Sequence, residues 1–74
     1  MRDWLLKART AKGLTMKQMG EALDITESYY SMIESGTRQK QMDLTLVTKL
    51  SVVLDIPITE IASLEALNEK VTLE

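Results

Sequence analysis

The sequence predicts an all-α protein, a compact bundle of five short helices folded as one domain over residues 1–68. Three observations predict it. Apolar residues recur at helical spacing in separate short runs. Small polar residues suited to helix N-caps stand before those runs, at Thr15, Thr26 and Asp43. Between Thr15 and Arg38, two of the runs are separated by only three or four residues, too few for anything but a tight turn.

The first helix is expected over residues 2–12, with Leu5, Ala8 and Trp4 facing inward and Gly13 closing it. The second covers residues 16–23. Thr15 caps it, and Gln18 three residues on completes the pattern of a capping box. Met19, Gly20 and Leu23 form its inner side, and Gly20 marks the closest approach to the next helix, where only a small side chain fits. Asp24 interrupts the pattern at the turn and tolerates a left-handed backbone better than most residues. The third helix covers residues 27–35, capped by Thr26, with Tyr30 and Ile33 inside and Gly36 ending it. A polar, basic loop occupies residues 36–42. Asp43 caps a fourth helix that places Leu44, Val47, Leu50, Ser51 and Leu54 on one face. Asp55 breaks it. Pro57 begins the last helix, where its missing N–H costs nothing, and Ile58, Ile61, Leu64 and Leu67 continue the apolar stripe. Residues 69–74 read as a tail, and Leu73-Glu74 resembles the remnant that precedes a purification tag. The chain shows no internal repeat, low-complexity tract or linker.

Composition narrows the chemistry. The 74 residues suffice for one small domain with a modest core. With no cysteine and no histidine, disulfides, thiol chemistry, histidine catalysis and the usual zinc sets are absent. The lack of cysteine fits a reducing cytoplasm. No signal peptide and no membrane-length apolar run is present. The sequence offers no nucleophile–base pair, no glycine-rich phosphate loop and no metal set, so neither catalysis nor a cofactor nor a small-molecule ligand is expected. Net charge is −2, but residues 1–42 hold seven basic and five acidic side chains, and residues 43–74 hold two and six. That asymmetry predicts a mildly basic face and an acidic rear.

Two helices around a three- or four-residue turn match the helix-turn-helix, which lays its second helix in the DNA major groove. The stretch resembles the phage repressor family, the Cro and cI-type helix-turn-helix proteins of the XRE kind. The resemblance runs from Leu5 to about Ile61 and rests on Leu5, Ala8, Arg9, Gly13-Leu14-Thr15, Met19, Gly20, Leu23, Ile25, Thr26, Ile33, Glu34, Ser35-Gly36 and residues 50–56. It implies a lambda-repressor-like DNA-binding domain with its motif at about residues 16–35.

Expected base contacts are the outward residues of the third helix, Glu27, Ser28, Ser31 and Met32, of which the resemblance emphasises Glu27, Ser28 and Met32. Glutamate accepts from cytosine N4, serine is adaptable, and methionine offers apolar contact to a thymine methyl. Glu27 has a plainer role open to it, since a carboxylate in a first turn favours the helix dipole without touching anything. Expected phosphate contacts are Thr15, Lys17 and Gln18 at the start of the second helix, Tyr29 facing out of the third, and Thr37, Arg38, Gln39 and Lys40 in the loop. Arg38 and Lys40 can equally be ordinary solvated charges. Arg9 and Glu34 match a pair that in the family bridges the first and third helices, a structural role in which bidentate geometry fixes the recognition-helix angle. One departure stands out. Where the family commonly has glutamine at the head of the second helix, this chain has Met16, which cannot donate to a phosphate.

The apolar residues Val52, Val53, Leu64 and Leu67 exceed what a small core needs, and Val53, Leu64 and Leu67 are candidates for a homodimer interface. The leading expectation is sequence-specific binding of double-stranded DNA by a small bacterial or prophage transcriptional repressor, a cytoplasmic dimer blocking polymerase at a palindromic operator. The alternative is a protein-interaction module, a toxin-binding antitoxin or an adaptor with little DNA affinity. Met16, the acidic total and the five methionines, a residue type common at adaptable surfaces, favour the alternative slightly.

Overall fold

Among the described residues five helices follow one another: α1 Asp3–Ala11, α2 Met16–Leu23, α3 Glu27–Ser35, α4 Leu44–Leu54 and α5 Ile58–Leu73. The computed structural model describes residues 1–39 and 41–73, with side chains as far as residue 67, and no strand occurs among the described residues. Polar caps set the starts. Thr15 Oγ1 accepts from Gln18 N while Gln18 Oε1 accepts from Thr15 N, a reciprocal capping box at the head of α2. Thr26 Oγ1 accepts from Tyr29 N to open α3, and Asp43 Oδ1 accepts from Leu46 N to open α4. Left-handed residues set the ends: Asp24 closes α2, Gly36 closes α3 and Asp55 closes α4. Pro57 stands one residue ahead of α5, where its carbonyl accepts from Glu60 N and Ile61 N. The helix then runs on to Leu73, through the segment that the sequence sets apart as a tail.

The core joins Leu5 of α1, Met19 and Leu23 of α2, Tyr30 and Ile33 of α3, Leu46, Leu50 and Leu54 of α4 and Ile61 of α5. Helix α2 packs against both α3 and α4, α1 packs against α3, and α4 packs against α5. Gly20 decides how closely α2 and the following turn approach. A Cβ there would lie 2.9 Å from the Ile25 carbonyl oxygen and 3.1 Å from Glu27 N, so any larger residue pushes the turn away.

Three sequence expectations change. In α4 the buried stripe is Leu46, Leu50 and Leu54, flanked by Val47 and Val53, whereas Leu44 is 74% exposed. At 3.6 residues per turn, a stripe centred on Leu50 takes in positions four before and four after it and turns Leu44 outward. Among the described side chains of α5 only Ile61 is fully buried; Ile58 and Leu67 are exposed and Leu64 is half-buried. Arg2, counted from the sequence as part of a basic surface, is 1% exposed.

Candidate nucleic-acid interface

Helix α3 is held at its C-terminal end and left open at its start. Glu34, itself 2% exposed, sits between α1 and α3. Arg9 of α1 donates to it twice, Nε to Oε2 at 2.9 Å and Nη2 to Oε1 at 3.3 Å. The Tyr30 hydroxyl donates to the same Oε2 at 2.7 Å, and Arg9 Nη1 donates to the Leu14 carbonyl at 2.9 Å. A buried carboxylate is costly unless it is paired and hydrogen-bonded, and here three donors satisfy it. The same contacts move the partners' acidities. The hydrogen bond that it donates to Glu34 holds the Arg9 guanidinium protonated beyond its ordinary range. Burial, and next the bond to Glu34, pushes the Tyr30 hydroxyl well above its usual value.

The opposite end of α3 carries Glu27 and Ser28, both exposed. Ser31 and Met32, one turn on, are half-buried, less outward than the helical wheel implies. The first turn of α3 therefore offers one carboxylate acceptor and one hydroxyl, with a serine and a thioether one turn farther along the helix. Glu27 and Ser28 can meet base edges by hydrogen bonding, while Met32 can supply only apolar contact.

The flanking segments supply donors. Thr15, Lys17 and Gln18 are exposed at the head of α2, although the capping box already engages Thr15 Oγ1 and Gln18 Oε1. Thr37 and Arg38 are exposed after α3, with Thr37 Oγ1 3.0 Å from Ser35 Oγ. Lys40 lies outside the described residues. Two expected phosphate ligands are placed differently. Tyr29 is half-buried and packs against the core, and its hydroxyl oxygen accepts from Gln39 Nε2 at 3.0 Å. Gln39 is half-buried with φ +54°, and its Oε1 accepts from Asp43 N at 3.3 Å. Both side chains brace the loop, leaving Tyr29 its hydroxyl proton and Gln39 one amide hydrogen for any outside partner. Helical spacing alone turns Tyr29 outward; it cannot show that Gln39 reaches back to its hydroxyl.

The charge count also changes. Arg2 is paired with Glu65 and Arg9 with Glu34, so neither adds to a basic surface. Lys7, Lys12, Lys17 and Arg38 remain exposed in the N-terminal half. Met16 is half-buried against the core, as is Met42; Met19 is fully buried, and Met1 alone among the methionines is strongly exposed. Three of the five methionines, Met16, Met19 and Met42, are thus packing residues, which leaves Met1 and the half-buried Met32 of α3 to face outward. Of the interface candidates at the other side, Val53 packs on the core and Leu64 is half-buried, while Val52 and Leu67 are exposed.

Arg2 and Glu65 are the residues that sequence reading misses. Arg2 precedes the first helix and Glu65 sits in an acidic stretch, so nothing in spacing or periodicity pairs positions 63 residues apart. Among the described residues no group of acidic, histidine or cysteine side chains could hold a metal ion, and no helix is long and apolar enough to cross a membrane.

Comparison with known proteins places this geometry. An uncharacterized HTH-type transcriptional regulator of Bacillus subtilis strain 168, YqaF, is 49% identical over 39 residues, which cover 53% of this chain and 51% of that relative. The chain thus matches about half the length of that curated relative. No solved structure matches significantly. The helix-turn-helix family model matches residues 5–61, from Leu5 in α1 through the first turn of α5, and takes in Arg9 and Tyr30, the side chains that brace the Glu34 carboxylate. This chain belongs to the XRE-type helix-turn-helix family.

Proposed function

We propose that this protein is a cytoplasmic, sequence-specific DNA-binding transcriptional regulator without catalytic activity, and that it represses by occupying a palindromic operator as a homodimer. One observation carries the reading: the second helix of the motif is anchored at its C-terminal end by a satisfied buried carboxylate, while Glu27 and Ser28 stand exposed at its start. An anchored helix with open polar residues in its first turn is what base-edge readout in the major groove requires. Membership of the family and likeness to a protein named as a transcriptional regulator support it.

In this reading Glu27, Ser28, Ser31 and Met32 meet bases. Thr15, Lys17, Gln18, Thr37 and Arg38 meet phosphates, with Lys40 joining them from the loop. Few free cations serve this face, so non-specific affinity is modest and falls steeply with salt. A dimer through the exposed side of α5, at Leu64 and Leu67, sets two copies of α3 about 34 Å apart, one DNA turn. Val53 is a weaker candidate because it is committed to the core. The rival protein-interaction reading draws little help from the methionines, because Met16, Met19 and Met42 pack in or against the core.

The test is selection from a pool of random duplexes at low and at physiological salt, with Arg38→Ala alongside. Enrichment of a palindrome, weakened about uniformly by Arg38→Ala, supports the reading. No retained duplex at low salt overturns it and favours a protein partner. Sedimentation of the protein with its selected duplex reads the dimer; a monomer both free and bound overturns that part.

A further inference from the structure

Among the described residues, the side chain with the most partners is one that the DNA-binding reading does not use. Arg2 lies just ahead of α1, is 1% exposed, and spends four of its five N–H groups inside the fold. Its Nε donates to Glu65 Oε2 of α5 at 2.9 Å. Its Nη1 donates to the Ile33 carbonyl at 2.6 Å and to the Arg38 carbonyl at 3.3 Å. Its Nη2 donates to the Gln39 carbonyl. The Arg2 main-chain N–H reaches the Glu34 carbonyl at 2.9 Å.

Each contact answers a physical need. The carbonyls of Ile33 and Glu34 belong to the last turn of α3, where no following turn supplies helical N–H donors; Ile33 accepts only the Gly36 cap N–H at 3.2 Å from the main chain and keeps a second lone pair for Arg2. A cation there also complements the helix dipole. Gln39 holds φ +54°, a conformation that non-glycine residues rarely adopt, so this loop needs an outside hold. Glu65 neutralises the buried guanidinium and is itself fixed by Trp4 Nε1, which donates to the same oxygen at 2.7 Å. A lysine cannot replace this arrangement, because its three donors radiate from one point and lack the planar fork.

We propose that Arg2 is a positioning residue for DNA binding: by joining the end of α3, residues 38–39 and Glu65 of α5, it holds the loop that presents Thr37 and Arg38 to phosphate. The placement of that loop is thereby tied to α5, the helix proposed to carry the dimer face. This rests on the DNA-binding reading above, and the test separates the two.

Arg2→Met keeps the length and removes the donors; Arg2→Lys keeps the charge and guards against a variant that unfolds; Glu65→Gln weakens the anchor on α5. Amide hydrogen exchange is read first, without DNA. Exchange at Thr37 and Arg38, whose N–H groups bond the Met32 carbonyl, is expected to rise about tenfold in Arg2→Met, and less in Glu65→Gln, while amides of α2 stay unchanged. Equal acceleration everywhere, or none in the loop, overturns the proposal. Duplex affinity is read second, well below the melting temperature, in a cycle with Arg38→Ala. Arg2→Met is expected to weaken binding about tenfold and to remove about one unit of salt slope, with the double variant within about twofold of Arg38→Ala alone. Additive losses contradict a positioning role and leave only a stability role. Should the wild-type chain bind no duplex, the DNA reading fails, and the exchange result still decides whether Arg2 holds the loop.

Discussion

The pairs α2–α3 and α4–α5 turn nearly the same corner with different chemistry at one position. Leu23-Asp24-Ile25 ends the first helix of one pair, and Leu54-Asp55-Ile56 ends the first helix of the other. Asp24 (φ 61°, ψ 43°) and Asp55 (φ 57°, ψ 46°) take the same left-handed conformation. The following isoleucine N–H then closes back five residues, Ile25 to the Gly20 carbonyl at 2.8 Å and Ile56 to the Ser51 carbonyl at 3.1 Å. The difference lies at Gly20 and Ser51. In the first corner, the missing side chain lets the Ile25 carbonyl sit where a Cβ would be only 2.9 Å away. In the second, the side chain is present and Ser51 Oγ donates to the Ile56 carbonyl at 2.6 Å. The second helices diverge further. Helix α3 is nine residues long and tied down by Glu34 and Arg2, whereas α5 is sixteen residues long and fully buries only Ile61 among its described residues. The corner is a generic device. What each second helix can do depends on which end is anchored and which face is left open.

The largest expected effect breaks the buried anchor at the C-terminal end of α3. Glu34→Ala strands Arg9 and the Tyr30 hydroxyl in the interior and is expected to cost about 3–5 kcal/mol in urea unfolding. Glu27→Ala, on the same helix but exposed, is expected to cost less than about 1 kcal/mol, the scale of a carboxylate at a helix start. Equal midpoints for the two variants would remove Glu34 from its anchoring role.

The next effect separates the corners. Gly20→Ala forces backbone apart and is expected to cost about 1–3 kcal/mol, as overpacking does. Ser51→Ala deletes one hydrogen bond and is expected to cost about 1 kcal/mol. If Ser51→Ala proves the more damaging, the close approach at Gly20 is not what sets the α2–α3 angle.

The smallest effect checks that the corners are otherwise alike. Asp24→Gly and Asp55→Gly each relieve a left-handed residue while loosening the unfolded chain. Each is expected to stabilise by about 0.5 kcal/mol, and by the same amount. A gap of more than about 1 kcal/mol between them, in parallel thermal melts, would show that the aspartates serve the two corners differently.

These contrasts also explain what was legible in the sequence. The limits of α2 and α3 follow directly from it, because Thr15, Gln18, Thr26, Asp24 and Gly36 are local signals whose partners lie within a few residues. The inner residues of α2 and α3 follow from periodicity for the same reason. In α4 and α5 the apolar content is high on more than one face, so periodicity misplaces Leu44 and credits α5 with a longer buried stripe than it has. The candidate interface divides similarly. Glu27 and Ser28 are exposed, as a helix start under a cap must be. Tyr29 and Gln39 each spend part of their hydrogen-bonding capacity on the other, because Gln39 returns to α3, and such a return leaves no local trace. Arg2 with Glu65 is the extreme case: the pair depends wholly on where α1, α3 and α5 meet.

The central claim is that α3, and not α5, is the second helix that faces DNA. Amide chemical-shift mapping of the wild-type chain, titrated with a short duplex at low salt, tests it most directly. The account predicts shifts clustered at residues 27–32, 37–38 and the head of α2, with α5 changing only as a second protein copy joins on the duplex. Shifts centred on α5 with residues 27–32 unmoved, or no shifts at any duplex concentration, would contradict it.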